Sequence, residues 1–211
     1  MVNYVLNSVT LTDDEFAREL RGVMVQNEAV EAIFDHPRVI PIVERNLNYV
    51  LEYAIKMQYP ELVDKILNYS ELDASANGYK ALVLAILGNW SELVTRLLER
   101  PEVHPSLEEV VSIIDDATVN EAAIALLEND KIVLDEESSE YLIMQFITLN
   151  LNLRYLMGIE KLVVNEDIVR EVLHEAMRIR NARAIITLLY NDRTKGLISD
   201  EDRAAASRVP L

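Results

Sequence analysis

The chain has 211 residues, half of them hydrophobic, with five glycines, six prolines, no cysteine and a net charge of −16. These figures exclude a disordered chain, a disulfide scaffold, a thiolate nucleophile or metal site, and an all-β fold with many tight turns. The negative balance argues against attachment to a nucleic-acid backbone, and no uncharged apolar stretch reaches the length of a membrane span.

Residues 1–11 lack a basic start followed by a long apolar core, so a secretory signal is not expected. They are assigned as an N-terminal cap, and the absence of cysteine fits a reducing, cytoplasmic location. From residue 12 to 193 a doublet of bulky apolar residues recurs six times: Ile33-Phe34, Ile66-Leu67, Leu97-Leu98, Leu126-Leu127, Leu156-Met157 and Leu188-Leu189. The spacings are 33, 31, 29, 30 and 32 residues. A period near 31 predicts stacked helical hairpins, in which no single hairpin can bury its apolar face and each neighbour completes the core. Every doublet residue is therefore expected to be buried. Two further columns keep the same register. Glu28, Glu61, Glu92 and Glu121 stand five residues before their doublets; Val30, Val63, Val94 and Ile185 stand three before theirs.

The second and third copies are the clearest. Val50, Leu51, Ala54 and Ile55 mark one first helix; Leu82, Val83, Ala85 and Ile86 mark the other. Breaks follow at Gln58-Tyr59-Pro60 and Gly88-Asn89, and second helices are predicted from Glu61 to Asn68 and from Ser91 to Arg100. Pro60 suits a first helical turn. Asn89 with Glu92 reads as a capping box. Each copy closes on an extended finger, as at Glu71-Leu72-Asp73 and Glu102-Val103-His104-Pro105. His36 to Pro41, Lys131 to Asp135 and Lys161 to Asn165 are assigned the same role. The fifth copy, Glu140 to Lys161, fits the pattern poorly. A last helix is predicted near Ser199 to Ser207, with Ser199 at its start; residues 194–211 form a C-terminal capping helix and tail. The whole of 1–211 is read as a single repeat domain.

Helix, turn, helix and finger in about 31 residues resembles the ankyrin repeat. The stretch from Gly78 to Ser106 is the best match. Ala81-Leu82-Val83-Leu84-Ala85 falls where ankyrins carry Thr-Pro-Leu-His-x-Ala, Gly88-Asn89 at the turn, and Leu97-Leu98 at the paired leucines. No copy has the Thr-Pro-Leu-His tetrapeptide, and most turn glycines are missing. The pattern is similar to the divergent ankyrins of amoebae, giant viruses and amoeba-infecting bacteria. The resemblance implies an all-α solenoid of about six repeats that binds another protein through its concave face. It also implies a possible effector, since Ser199-Asp200-Glu201-Asp202 resembles an acidic secretion signal; such an effector would act in host cytoplasm. A structural subunit of a larger assembly is the alternative.

No residue pattern announces chemistry. His36, His104 and His174 have no second His or Cys at a ligand spacing, so no metal is expected. There is no phosphate loop and no nucleophile motif, so no cofactor and no catalytic residue are assigned. Asp115, Asp116 and Glu136 are the residues an enzyme reading would use; that reading lacks a base, a nucleophile and an orienting group. The expected binding residues are Tyr59, Trp90, Asp115, Asp116, Glu136 and Glu137. Tyr59 and Trp90 each stand seven residues before a doublet, at equivalent turns, and Tyr and Trp are favoured at hot spots. Tyr49, Tyr53, Tyr79, Tyr141 and Tyr155 are placed in the core or at its edge. Asp13-Asp14 and Glu136-Glu137 suit helix starts, whereas Asp115-Asp116 falls near a helix end, where the dipole disfavours acid. Between Arg100 and Arg154 twelve acids face one base, Lys131, so the expected partner has a basic surface. Arg178, Arg180 and Arg183 cluster at the last turn, where they could support self-association.

Overall fold

The computed structural model describes residues 40–117 and 119–209, the side chains of Ile42, Asp116 and Ala117 excepted. The doublet Ile33-Phe34, the columns at Glu28 and Val30, His36, Asp13-Asp14 and the cap at residues 1–11 lie outside the described residues. Among those described, every regular element is a helix. The chain forms two compact units, one ending at Asp73 and one beginning at Ala74.

The first unit contains α1 (Ile40–Arg45), α2 (Leu47–Lys56) and α3 (Pro60–Leu67). Ile40 and Pro41 open α1 instead of continuing a finger, because proline is tolerated in a first helical turn. The helices α2 and α3 pack as a hairpin. Val50, Leu51, Ala54 and Ile55 are buried as their spacing predicts, and Pro60 starts α3.

The second unit contains α4 (Ala76–Leu87), α5 (Ser91–Glu99), α6 (Leu107–Ala117), α7 (Glu121–Glu128), α8 (Glu136–Thr148), α9 (Leu153–Leu156), α10 (Glu166–Arg178), α11 (Ala182–Tyr190) and α12 (Asp200–Ala206). Asn77, Gly78 and Tyr79 are left-handed, so regular right-handed helix in α4 begins at Lys80. First helices pack on first helices: α4 on α6, α6 on α8, α8 on α10, and α12 on α10. Second helices do likewise, α5 on α7 and α9 on α11. The leading residue of each described doublet is buried: Ile66, Leu97, Leu126, Leu156 and Leu188. The column three residues earlier is buried as well, at Val63, Val94, Ala123, Leu153 and Ile185. Two doublet residues depart from expectation, since Leu67 and Leu189 are only half-buried. Leu67 is the last residue of α3, and Leu189 lies on α11, which is the last second helix among the described residues.

The turn inside four of the hairpins is a Schellman motif. Gln58, Asn89, Asn150 and Arg180 adopt positive φ of 58°, 52°, 55° and 59°. The next N–H reaches back to close the helix: Tyr59 to Ala54, Trp90 to Ala85, Leu151 to Phe146 and Asn181 to Ala176, at 2.8–2.9 Å. The residue in the left-handed position at the second of these turns is therefore Asn89, and Gly88 is not. Asn89 does not cap α5. Its side-chain oxygen instead accepts the Ala122 N–H at 3.2 Å, and the N-cap of α5 is Trp90, which makes no side-chain capping bond. In the fifth copy the left-handed Asn150 stands six residues before Leu156, whereas the other three stand eight before their doublets. That deletion leaves α9 only four residues long and explains why this copy reads badly in sequence.

The fingers are extended without forming strands. Val103, Pro105, Ile132 and Leu134 are buried while His104 and Val133 are exposed. Each finger begins with the same backbone turn, six residues after the doublet start donating to three after it: Val103 to Arg100, Ile132 to Asn129, Leu162 to Ile159. A cation from the next hairpin binds both residues' carbonyls. Lys131 Nζ donates to the carbonyls of Arg100 (2.8 Å) and Val103 (2.9 Å). Lys161 Nζ donates to Asn129 and Ile132, both at 2.6 Å. The Arg193 guanidinium donates to Ile159 (2.6 Å) and to Leu162. All three cations lie five residues after their own doublet start. At the opposite end of the hairpins, Asn120 and Asn181 cap α7 and α11 and send their amide N–H groups to Ile86 (2.6 Å) and Ile147 (2.9 Å) of earlier hairpins.

Lys161→Met keeps the aliphatic stem and removes both bonds to the carbonyls. It is expected to destabilise the chain by about 1.5–3 kcal/mol, the range for hydrogen bonds to a charged group. Leu127→Ala is expected to cost about 2–5 kcal/mol through the cavity it leaves. Urea denaturation measures both, and an unchanged midpoint for Lys161→Met would show that the staple contributes nothing.

Candidate functional site

Tyr59 and Trp90 occupy the same local position in their respective units. Each follows the left-handed turn residue and precedes the second helix, and each is half-buried. The tight 2.9 Å and 2.8 Å backbone bonds fix where their rings emerge. In the first unit Tyr59 belongs to a cluster. Burial, together with the phenols of Tyr59 and Tyr49, raises the Tyr53 pKa above its ordinary value. Tyr49 is 41% exposed, so this cluster presents aromatic surface to solvent. None of these tyrosines is in the core; the edge placement holds for Tyr53, Tyr79 and Tyr141 and fails for Tyr49 and Tyr155. Tyr53, Tyr79 and Tyr141 are half-buried, and Tyr49 and Tyr155 are exposed. A phenol that must keep its hydroxyl hydrated is held at the edge even when its helical phase points inward.

The acidic residues separate into two places. Asp115 is exposed in the last turn of α6, without a basic residue there to offset the dipole. The side chain of Asp116 lies outside those described. Glu136 and Glu137 are exposed in the first turn of α8, next to its N-cap Asp135, whose carboxylate accepts the Ser138 N–H at 2.9 Å. Because hairpins of the second unit stack with their turns together, α6 and α8 run the same way. Asp115 and Glu136 thus stand at opposite ends of neighbouring helices, about 15 Å or more apart along the axis, and no common carboxylate site forms from them.

Glu136 and Glu137 instead join two acids that the sequence reading passed over. The Asn165 amide donates to Glu136 at 2.5 Å. Glu140 on α8 shares a side-chain hydrogen bond with Glu171 on α10, which raises the Glu140 pKa; burial and the charges of Glu171, Glu136 and Glu137 push the same way. Glu140 and Glu171 are 31 residues apart, one repeat, so the period itself was the signal that would have found them.

Of the described histidines, His104 is exposed and His174 pairs with Asp202 of α12 at 2.8 Å. Ser199 caps α12 as its sequence predicts, accepting the Asp202 N–H at 3.0 Å. No group of His, Asp or Glu able to hold a metal ion is present among the described residues, and no described helix is long and apolar enough to cross a membrane. Comparison with known protein families, with curated proteins and with solved structures returns no match.

The raised Glu140 pKa has a defined sign. Its protonated form stabilises the folded chain; that contribution is complete below the ordinary glutamate value of 4.5 and is lost as pH rises through the folded value. Glu140→Gln removes the charge and keeps a donor for Glu171. It is expected to raise the thermal midpoint at neutral pH and to leave it unchanged at about pH 3.5. Equal midpoints for the two proteins at neutral pH would show that the carboxylates do not interact.

Proposed function

We propose that the chain is a non-catalytic protein-binding module of the ankyrin-like solenoid class, its surface built from first helices, hairpin turns and fingers. The reading is carried by one observation: buried columns recur at the repeat period, the same left-handed turn closes four hairpins, and the same cation-to-carbonyl bonds join three successive pairs of hairpins. A fold made of equivalent parts extends a surface, and each added hairpin supplies another turn and another exposed rim. Affinity in such a module comes from buried area at a few anchors, with charge setting encounter rate and selectivity.

Tyr59, with Tyr49 and Tyr53, is the aromatic anchor of the first unit, and Trp90 is the anchor of the second. Glu136 and Glu137, reinforced by Glu140 and Glu171, and separately Asp115 and Asp116, select a partner surface bearing Lys or Arg. An effector acting on a host protein is the biological setting that the ankyrin-type resemblance favours.

Affinity capture with wild type and with a Tyr59→Ala/Trp90→Ala double variant, both checked for helix content by circular dichroism, tests the reading. The wild type is expected to retain a partner that the folded double variant loses. Equal capture by the two proteins would remove the aromatic positions from the binding surface, and a partner held only by an active-site inhibitor or substrate analogue would replace the module with an enzyme.

A further inference from the structure

The last inter-helix turns of the second unit differ in charge from the rest of this acidic chain. Between the end of α8 and the start of α11 lies an open cleft of about 550 Å³. Ile147 and Ile179 line its apolar part, Thr148 and Asn150 its polar edge, and Arg180 and Arg183 its cationic edge. Neither guanidinium has a hydrogen bond or an ion pair among the described residues. Four other arginines of the second unit are engaged: Arg170 with Asp167, Arg178 with Glu175, Arg193 with three carbonyls, and Arg203 with the Lys195 carbonyl.

The two free arginines occupy positions that are unfavourable in the empty protein. Arg183 stands five residues before Leu188, in the column that holds Glu61, Glu92 and Glu121 in earlier hairpins. The first turn of α11 consequently has no acid, and a cation sits where the helix dipole disfavours one. Arg180 holds the left-handed turn position with φ of 59°, a conformation that asparagine, present at two other turns, adopts with less strain. An incoming carboxylate reverses the first penalty and gives both guanidinium groups the planar, two-pronged acceptor they match best.

We infer that this cleft docks a short acidic peptide segment of a partner protein, two carboxylates meeting Arg180 and Arg183 while an apolar side chain between them rests on Ile179. The whole chain, at a net −16, repels an extended polyanion, so the occupant is a short segment that touches the protein at this point and not a nucleic acid. This site takes the opposite charge from the acidic surface proposed above and does not involve Tyr59 or Trp90.

The test is an amide chemical-shift titration of the full chain with a capped peptide of sequence Glu-Glu-Leu-Glu-Glu. Saturable shifts are expected at residues 147–150 and 179–184, with affinity weakened about tenfold or more in Arg183→Glu. Arg180→Gly separates binding from folding, because glycine relieves the left-handed backbone while removing the guanidinium. It is expected to raise the thermal midpoint and to lose the peptide. Arg154→Glu, an exposed arginine outside the cleft, is expected to bind as wild type does. The inference is overturned by an absence of saturable shifts, by shifts centred elsewhere, or by full affinity in Arg180→Gly and Arg183→Glu. Inorganic phosphate that reproduces the shifts and displaces the peptide at equal concentration would overturn it in favour of a bare anion site.

Discussion

Three hairpins of the second unit, those of α5, α7 and α9, end in a turn whose two carbonyls point out of the helix with no helical donor, and the next hairpin supplies that donor. Apolar stacking brings successive hairpins together, but it is non-directional and would tolerate a shift of one helix along another. The bonds from Lys131, Lys161 and Arg193 do not tolerate it, because each needs two carbonyls held three residues apart. They convert a greasy contact into a register. A consequence for charge follows. Lys131 is the only Lys or Arg between Arg100 and Arg154, and the two neutral carbonyls hold its full charge at the finger.

The apolar architecture was legible in the sequence because it depends on residue type at a fixed period. The doublets and the column before them located the buried faces, Pro60 located a helix start, and Ser199 located the last one. The cation column was also present at Lys131 and Lys161, where it was read as part of a finger. Its role was hidden because a lysine near an extended segment ordinarily signals a solvated edge, and only the geometry shows two carbonyls in reach. Asn89 shows the same limit. An Asn three residues before a Glu fits a helix start, yet the same side chain fits the left-handed end of the preceding helix, and backbone sterics decided for the end.

The candidate binding surface was less legible than the fold, for a related reason. Equivalent turns were correctly paired, so Tyr59 and Trp90 fall in corresponding places, but helical phase alone placed both tyrosines of α2 in the core or at its edge, and only Tyr53 is there. Phase says which way a residue points and not how deep it sits. Glu140 and Glu171 were missed because attention went to acids adjacent in sequence, whereas in stacked helices the neighbours are one repeat apart. Arg178, Arg180 and Arg183 were seen as one basic cluster, and pairing with Glu175 removes Arg178 from it.

The end of the last hairpin carries its own solution to the carbonyl problem. Six residues after the doublet start, the earlier hairpins have Leu72, Val103, Ile132 and Leu162, all buried and apolar; the last has Thr194, fully buried. Its hydroxyl donates to the carbonyl of Leu188 at 2.6 Å and approaches that of Asn191, the residue equivalent to those the cations hold elsewhere. A single methyl-to-hydroxyl exchange thus lets the hairpin satisfy itself. A hairpin grafted beyond this one would need an aliphatic residue at Thr194 and a basic one about a repeat further on to reproduce the bonds of the earlier hairpins.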